Sequence, residues 1–142
     1  MKRILSTITL VLMAAIAMQA QPLKTKFIDG GGTGLLKAIA VKEAGLPDFV
    51  VYRPKDMLHA HARCGAMPLL MFGNGGCSDS SIDYERMLTE IASHGYVVVA
   101  IGELQEKRGD RKTGHTPSSD LKRGLDWIVE QSHTKGSDYY QY

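Results

Sequence analysis

The chain has 142 residues and a formal net charge of +2, from 17 lysine and arginine residues against 15 aspartate and glutamate residues. Hydrophobic residues make up 44% and charged residues 23%, which is ordinary for a globular domain and excludes disordered, collagen-like and coiled-coil proteins. The nearly neutral charge argues against a dedicated nucleic-acid-binding protein, and two cysteines are too few for a disulfide scaffold or a structural zinc site. The length corresponds to one domain or to part of one.

The first twenty residues have the three-part pattern of a secretory signal peptide. Met1–Arg3 is basic, Ile4–Ala17 carries no charge, and small residues lead to Ala20. The uncharged run is shorter than the ~20 residues of a membrane-spanning helix, so we expect no membrane anchor, and cleavage after Ala20 or alternatively after Ala17. We therefore expect a secreted or periplasmic protein whose residues 21–142 have no net charge, because both excess basic residues lie in the signal peptide.

The two cysteines each have more than one interpretation. Export would place Cys64 and Cys77 in an oxidising compartment, where they form a disulfide or remain separate thiols, and the sequence favours neither. Cys64 also follows His59 and His61, so these three side chains could approach one metal ion. The segment is polar and has no fourth ligand, so a solvated loop is the favoured interpretation and we expect no metal or other cofactor.

Three strands are predicted in the first half of the chain after the signal peptide. Residues 35–41 form a weak strand, and after a turn Phe49–Tyr52 forms a second, which would pair with the first as an antiparallel hairpin. The polar stretch Lys55–Met67 is predicted to be a surface loop. Pro68–Phe72 is apolar throughout, which is typical of a strand that is buried on both faces.

A helix, a strand and a second helix follow. Ser80 and Asp83 have the spacing of a capping box, and Gly95 occupies the position where a helix ends in a left-handed residue. Tyr96–Ile101 is the strongest strand in the sequence, and Glu103–Gly114 is a charged loop. The apolar stripe predicted for the first helix consists of Tyr84, Met87, Leu88, Ile91 and Ala92. The second helix is predicted to be capped at Thr116–Pro117, and its apolar stripe consists of Leu121, Gly124, Leu125, Ile128 and Val129. The element order predicts an α/β fold with a parallel core.

Two glycine-rich segments and three further histidines are candidate sites. Gly30–Gly34 lacks both the phosphate-loop and the dinucleotide-binding patterns, which favours a flexible or tightly turning segment. His94 lies at the end of a predicted helix, where a cationic side chain interacts favourably with the negative end of the helix dipole, so a structural role is favoured. The sequence around His115 and His133 indicates no functional role for either residue.

Gly73–Cys77 is the better candidate. It directly follows a predicted strand and precedes a helix, and three glycines in four residues allow backbone N–H groups to converge on one concavity. Such a turn is suited to holding an anion or a developing oxyanion. We expect the backbone N–H groups of Asn74, Gly75, Gly76 and Cys77 to form this site.

The segments 68–77 and 91–100 together resemble the N-terminal half of an α/β-hydrolase. The motifs are Pro-Leu-Leu-Met-Phe-Gly-Asn-Gly-Gly-Cys and Ile-Ala-Ser-His-Gly-Tyr-Val-Val-Val-Ala, and they are most similar to the secreted esterase-like group that includes chlorophyllase and dienelactone hydrolase. The resemblance covers residues 30–133. It implies an antiparallel first hairpin, then parallel strands with flanking helices, a glycine-rich oxyanion loop after the third strand, and a nucleophile after a fifth.

The chain departs from the family at the catalytic residues. It contains no Gly-x-Ser-x-Gly, and His94 and His115 lie before the position where the nucleophile is expected. We therefore expect residues 21–142 to be a partial α/β-hydrolase domain, truncated before the nucleophile elbow, inactive as it stands and marginally stable. Its third strand, Leu69–Phe72, would be an exposed sheet edge.

Two functions remain open at this point. The favoured one is the N-terminal part of a secreted serine-hydrolase-like protein with a small ester or acyl substrate. The alternative is a secreted, non-enzymatic binding module that uses the glycine-rich loop to hold an anion. Neither involves nucleic acid.

Overall fold

The computed structural model describes residues 23–108 and 114–141, so the predicted signal peptide lies outside the described residues. Within these ranges, five strands and three α-helices form an α/β structure. The strands are β1 (Lys24–Lys26), β2 (Ala38–Lys42), β3 (Phe49–Pro54), β4 (Leu69–Phe72) and β5 (Val97–Ile101), and the helices are α1 (Met57–Cys64), α2 (Glu85–Ser93) and α3 (Ser119–His133). In this part of the chain, no helix is both long enough and apolar enough to cross a membrane.

The five strands form one mixed sheet in the order β1-β2-β3-β5-β4. The predicted hairpin is confirmed, because β2 pairs with β3 in an antiparallel register that joins Ala38 to Pro54 and Val41 to Val51. The prediction of a parallel core is correct only for β4 and β5, since β5 runs antiparallel to its other neighbour, β3. The reason is that β5 inserts between two strands of opposite direction.

Hydrophobic side chains cover both faces of the sheet. All residues of β3 and β5 are buried, as their β-branched and aromatic composition requires. On one face, Val97 and Val99 of β5 pack with Ile128 of α3 and with α1, whereas on the other Val98 packs with Leu88 of α2. This arrangement of helices on both sides buries the centre of the sheet.

Helix α1 lies where the sequence predicted a surface loop, so that prediction is wrong. The Asp56 carboxylate caps the helix by accepting a hydrogen bond from the His59 N–H at 2.8 Å. Only Met57 and Ala60 of the helix are buried. The apolar periodicity was therefore too sparse to reveal a helix, although the cap residue was visible in the sequence.

Helix α2 begins later than predicted, and the proposed capping box is not formed. The Ser80 hydroxyl accepts a hydrogen bond from the Ile82 N–H at 3.4 Å, within the turn that precedes the helix. The predicted stripe holds at Leu88, which is fully buried, but Met87 is 46% exposed. Gly95 has φ 94°, which confirms the predicted left-handed end of the helix.

Helix α3 begins at Ser119, three residues after the predicted cap at Thr116. Its contact with the sheet is close at Gly124, where a Cβ atom would lie 2.9 Å from both Met71 and Phe49. Ile128 is buried one turn further on, as predicted. Leu125 and Val129, which the stripe also included, are instead about two-fifths exposed, at 39% and 41%.

Strand β4 forms the edge of the sheet and has one strand partner among the described residues. Leu69 is 37% exposed and the rest of the strand is half-buried. The prediction of burial on both faces is thus wrong, and the prediction of an exposed edge is confirmed.

Candidate functional site

The loop Gly73–Cys77 begins where β4 ends, beside the carboxyl end of β5. Gly75–Cys77 forms a short 3₁₀ turn in which Gly76 has φ 62° and ψ 26°. Cys77 is in the left-handed region as well, at φ 53°. A non-glycine residue in this region costs of order 1–3 kcal/mol, and such strain is concentrated at functional sites.

Backbone donors of this loop are available to a ligand. Among the described residues, none accepts a hydrogen bond from the backbone N–H of Asn74, Gly75, Gly76 or Cys77. Both glycines are exposed, and neither has a side chain that could cover its N–H group. Consecutive N–H groups in a turn of this kind form a concavity that attracts negative charge. The arrangement can therefore bind an anion or an oxygen atom that becomes negative during a reaction.

The side chain of Asn74 fixes the loop to the sheet. Its Nδ2 donates hydrogen bonds of 2.8 Å to the carbonyl oxygens of Ser78 and Ile101. The first bond closes the turn and the second ties it to the end of β5. The prediction for Asn74 concerns its backbone N–H; the structure adds a side-chain role, because the amide positions the loop.

A second segment supports the loop from the side. Ser78 forms an isolated antiparallel bridge with His115, and the Thr116 N–H donates to the Cys77 carbonyl at 3.0 Å. The Asp79 carboxylate accepts a hydrogen bond from the Gly114 N–H at 2.9 Å. Asp79 is held on its other side by Gly102, where a Cβ atom would lie 2.4 Å from the Asp79 carbonyl oxygen. These contacts hold the loop in one conformation.

The hydroxyl of Tyr84 also lies near the loop, which the sequence analysis missed. It is 3.5 Å from the position that a Cβ atom of Gly75 would occupy, and the ring packs edge-on against Phe72 with centroids 5.1 Å apart. The helical spacing assigned Tyr84 to a buried stripe. The turn that precedes α2 instead leaves it 38% exposed, and nothing in the local sequence indicates this.

The predicted metal ligands are not brought together. His59 and His61 are two residues apart on α1, which places their side chains about 200° apart around the helix. No group of three potential metal-binding side chains occurs in the parts of the chain that the structure describes. Cys64 and Cys77 are both exposed free thiols, so they do not form the disulfide that was one of the two alternatives.

Gly30–Gly34 is a tight structural turn, which settles the two alternatives for that segment. It packs against the end of α2, where the Gly34 N–H donates to the Ser93 hydroxyl at 3.0 Å. A Cβ atom at Gly34 would lie 2.2 Å from the Ser93 carbonyl oxygen. The segment therefore serves the packing of α2 on the sheet.

His94 and Glu90 form part of the same support. The His94 Nε2 lies 3.0 Å from Glu90 Oε1 at the end of α2. Hydrogen bonds from the hydroxyl and N–H of Thr33, followed by that from His94, lower the pKa of Glu90 to about 2. His94 therefore lies at the end of α2, as predicted, and its partner there is the Glu90 carboxylate.

Neither the models of known protein families nor the curated proteins include a match to this chain.

Proposed function

We propose that this chain is the N-terminal part of a secreted α/β-hydrolase-like protein that acts on carboxylic esters or related acyl bonds. Its contribution is the oxyanion loop at Asn74–Cys77. The observation that carries the proposal is the pair of exposed N–H groups at Gly75 and Gly76, which have no acceptor among the described residues. They lie at the carboxyl end of β4, where open α/β sheets bind their ligands.

The arrangement of the sheet supports the same proposal. The α/β-hydrolase resemblance implies an antiparallel hairpin and a third strand that lies beside the fourth, with the fifth on its other side. Here β2 and β3 form the hairpin, and β4 lies beside β5 with its outer edge unpaired within the described residues. If β2 is counted as the first strand, β4 is the third, and the glycine-rich loop follows it as the resemblance implies.

The chemistry of the loop would be electrostatic. Attack on an ester carbonyl produces a tetrahedral intermediate whose oxygen carries negative charge, and the Gly75 and Gly76 N–H groups would donate to that oxygen. Each such donor contributes about 3–4 kcal/mol to the transition state. Because Asn74 and the bridge to His115 fix the loop, the donors need little reorganisation when the charge develops.

The chain by itself should not hydrolyse esters, since its sequence contains no Gly-x-Ser-x-Gly. Incubation with p-nitrophenyl acetate tests this, with a Gly75→Ala/Gly76→Ala variant as the matched control. We expect equal background rates for the two proteins. Turnover by the natural chain above that of the variant would overturn the assignment of inactivity.

The gene sequence beyond codon 142 tests the hydrolase assignment itself. An in-frame or frame-shifted Gly-x-Ser-x-Gly within about 20 codons would support it, since the elbow closely follows the preceding helix. A stop codon followed by unrelated sequence would instead favour a non-enzymatic module.

The second candidate function is a non-enzymatic binding module, in which the same N–H groups hold an anion without reaction. It is favoured by the absence of a nucleophile elbow from this sequence. Both functions require the loop to bind an anion, and NMR titration with methylphosphonate, which resembles a tetrahedral oxyanion, measures this binding. Saturable shifts of the Gly75 and Gly76 amides are expected, and they should be lost in the Gly76→Ala variant because φ 62° strains an alanine. Unchanged amide signals would exclude both functions of the loop.

A further inference from the structure

An open groove of about 890 Å³ lies at the end of the sheet opposite to the glycine-rich loop. It is bordered by the end of the β2–β3 hairpin, by the first turn of α1 and by residues 136–140. Its volume is within the range of about 300–1,000 Å³ that small-molecule sites have. None of its residues takes part in the proposed oxyanion loop.

Three basic side chains are gathered in this groove. Lys37, Arg53 and Lys55 all line it. The Lys55 N–H donates to the Lys37 carbonyl at 2.7 Å, which extends the hairpin by one pair and places the two lysines opposite each other. Arg53 is two residues before Lys55 and therefore faces the same side of the hairpin. Like charges directly opposite on paired strands are destabilising, so the fold holds positive charge here at a cost.

The acidic groups of the groove neutralise only part of this charge. Asp138 pairs with Arg53 at 2.8 Å, and the Asp56 carboxylate accepts the hydrogen bond that caps α1. Lys37 donates to a neutral carbonyl, that of Gly32, at 2.6 Å. The Lys55 backbone N–H is used in the hairpin, whereas its side-chain ammonium has no hydrogen-bond or ion-pair partner among the described residues.

Arg53 has unused donor capacity as well. It is 5% exposed, and its Nε is buried with no acceptor in the described part of the chain. A buried donor without a partner is uncommon in folded proteins. Arg53 lines the groove together with the two lysines.

Two leucines give the groove an apolar side. Leu35 is 78% exposed and Leu58 is 75% exposed, and both line the groove. A ligand that fits these walls needs one negatively charged group for the lysines and an apolar body for the leucines.

We propose that this groove binds a small amphipathic monocarboxylate, such as a medium-chain fatty acid, with its carboxylate between Lys37 and Lys55 and its chain against Leu35 and Leu58. The site is separate from the oxyanion loop, and the proposal does not depend on hydrolase activity.

NMR titration of the full chain with sodium decanoate, kept below its micelle concentration, tests the proposal. We expect saturable shifts at the methyl groups of Leu35 and Leu58, and at least tenfold weaker binding of decanol and of decyltrimethylammonium. Equal binding of all three compounds, or shifts that extend to Gly75, would show non-specific apolar binding and overturn it.

A charge-removing variant identifies the residues responsible. Lys37→Gln/Lys55→Gln should bind decanoate at least tenfold more weakly, because the two positive charges that face the carboxylate are removed. Lys42→Gln is the matched control from the other end of β2, and it should bind like the natural chain. Undiminished decanoate binding by the double variant, or an equal loss in the control, would contradict the proposed site.

Discussion

The hydroxyl of Tyr139 donates a hydrogen bond to the carboxylate of Glu43, and both side chains are buried, at 3% and 6% exposure. Glu43 follows β2 directly, whereas Tyr139 lies in the turn after α3. Arg53 adds an ion pair to the neighbouring Asp138 and lies over the Tyr139 ring, 5.6 Å from its centroid. The last described turn of the chain is thereby fastened to the hairpin by a buried polar cluster.

Removing the Tyr139 hydroxyl should destabilise the protein. In Tyr139→Phe the buried Glu43 carboxylate loses its donor, and an unsatisfied buried group costs about 1–3 kcal/mol. Urea unfolding measures this loss, with Tyr140→Phe as the control from the same turn, for which little change is expected. Equal midpoints for the two variants would show that the buried hydrogen bond does not stabilise the fold.

The stability should also depend on pH through Glu43. Burial raises the pKa of Glu43 above its ordinary value of 4.5, and it outweighs the lowering effects of the Tyr139 hydrogen bond and the Arg53 charge. Between the ordinary and the raised pKa the folded state binds more protons than the unfolded state, so the free energy of unfolding falls as pH rises through this interval.

Glu43→Gln removes this titration and keeps an acceptor for Tyr139. The free energy of unfolding of the variant, relative to the natural chain, should therefore increase as pH rises from 4.5 through the raised pKa and then remain constant. Urea unfolding at a series of pH values gives the difference, in which the titrations common to both proteins cancel. A difference that stays constant with pH, or decreases, would contradict the raised pKa.

Asn74 offers a test of how the glycine-rich loop is held. Asn74→Ala loses two hydrogen bonds to carbonyl groups and should cost about 1–3 kcal/mol. Asn74→Asp should cost more, because an acceptor would replace the donor and face the Ser78 and Ile101 carbonyls. Urea unfolding gives the stabilities, and amide exchange at Ser78 reports the loop. If the aspartate variant were as stable as the natural chain, the two hydrogen bonds could not be what fixes the loop.

The exposed edge of the sheet should cause association. Leu69 is 37% exposed on β4, and unpaired apolar edges recruit strands from other molecules. We expect the chain to self-associate with increasing concentration in sedimentation velocity, and Leu69→Lys to reduce this by placing a charge on the edge. Leu35→Lys, an exposed leucine away from the edge, is the control.

The expectation of marginal stability is tested by the same samples. A cooperative thermal transition of a strictly monomeric natural chain would count against both the association and the instability.

The strands were predictable where the local sequence determines them. The β-branched run at Val97–Ile101 and the apolar run at Phe49–Tyr52 have the composition of buried strands, and the turn between 42 and 49 makes the hairpin. Helix α1 was missed because its stability depends on Asp56 and on only two buried residues. Its polar side chains otherwise look like those of a loop.

The candidate site was predictable only in its backbone. Three glycines after a predicted strand indicate the turn at Gly73–Cys77 from the sequence alone. The anchoring of Asn74 depends on Ile101, 27 positions away, and the approach of Tyr84 depends on a 3₁₀ turn. Contacts between residues so far apart in the chain arise when separate helices and strands pack together. The residue pattern within one helix or strand does not predict them.

The position of β5 has a consequence for the order in which the sheet can form. β3 and β4 are consecutive in the chain, but β5 lies between them, so the four residues of β4 have no strand partner until the chain through Ile101 is present. Before that point only β1, β2 and β3 can pair, with α1 and α2 available to cover them, and the sheet lacks its central strand β5. The arrival of β5 supplies partners to both sides at once. Chain synthesis and sheet assembly should therefore be coupled at this one strand, because β4 can join the rest of the sheet only once β5 is present.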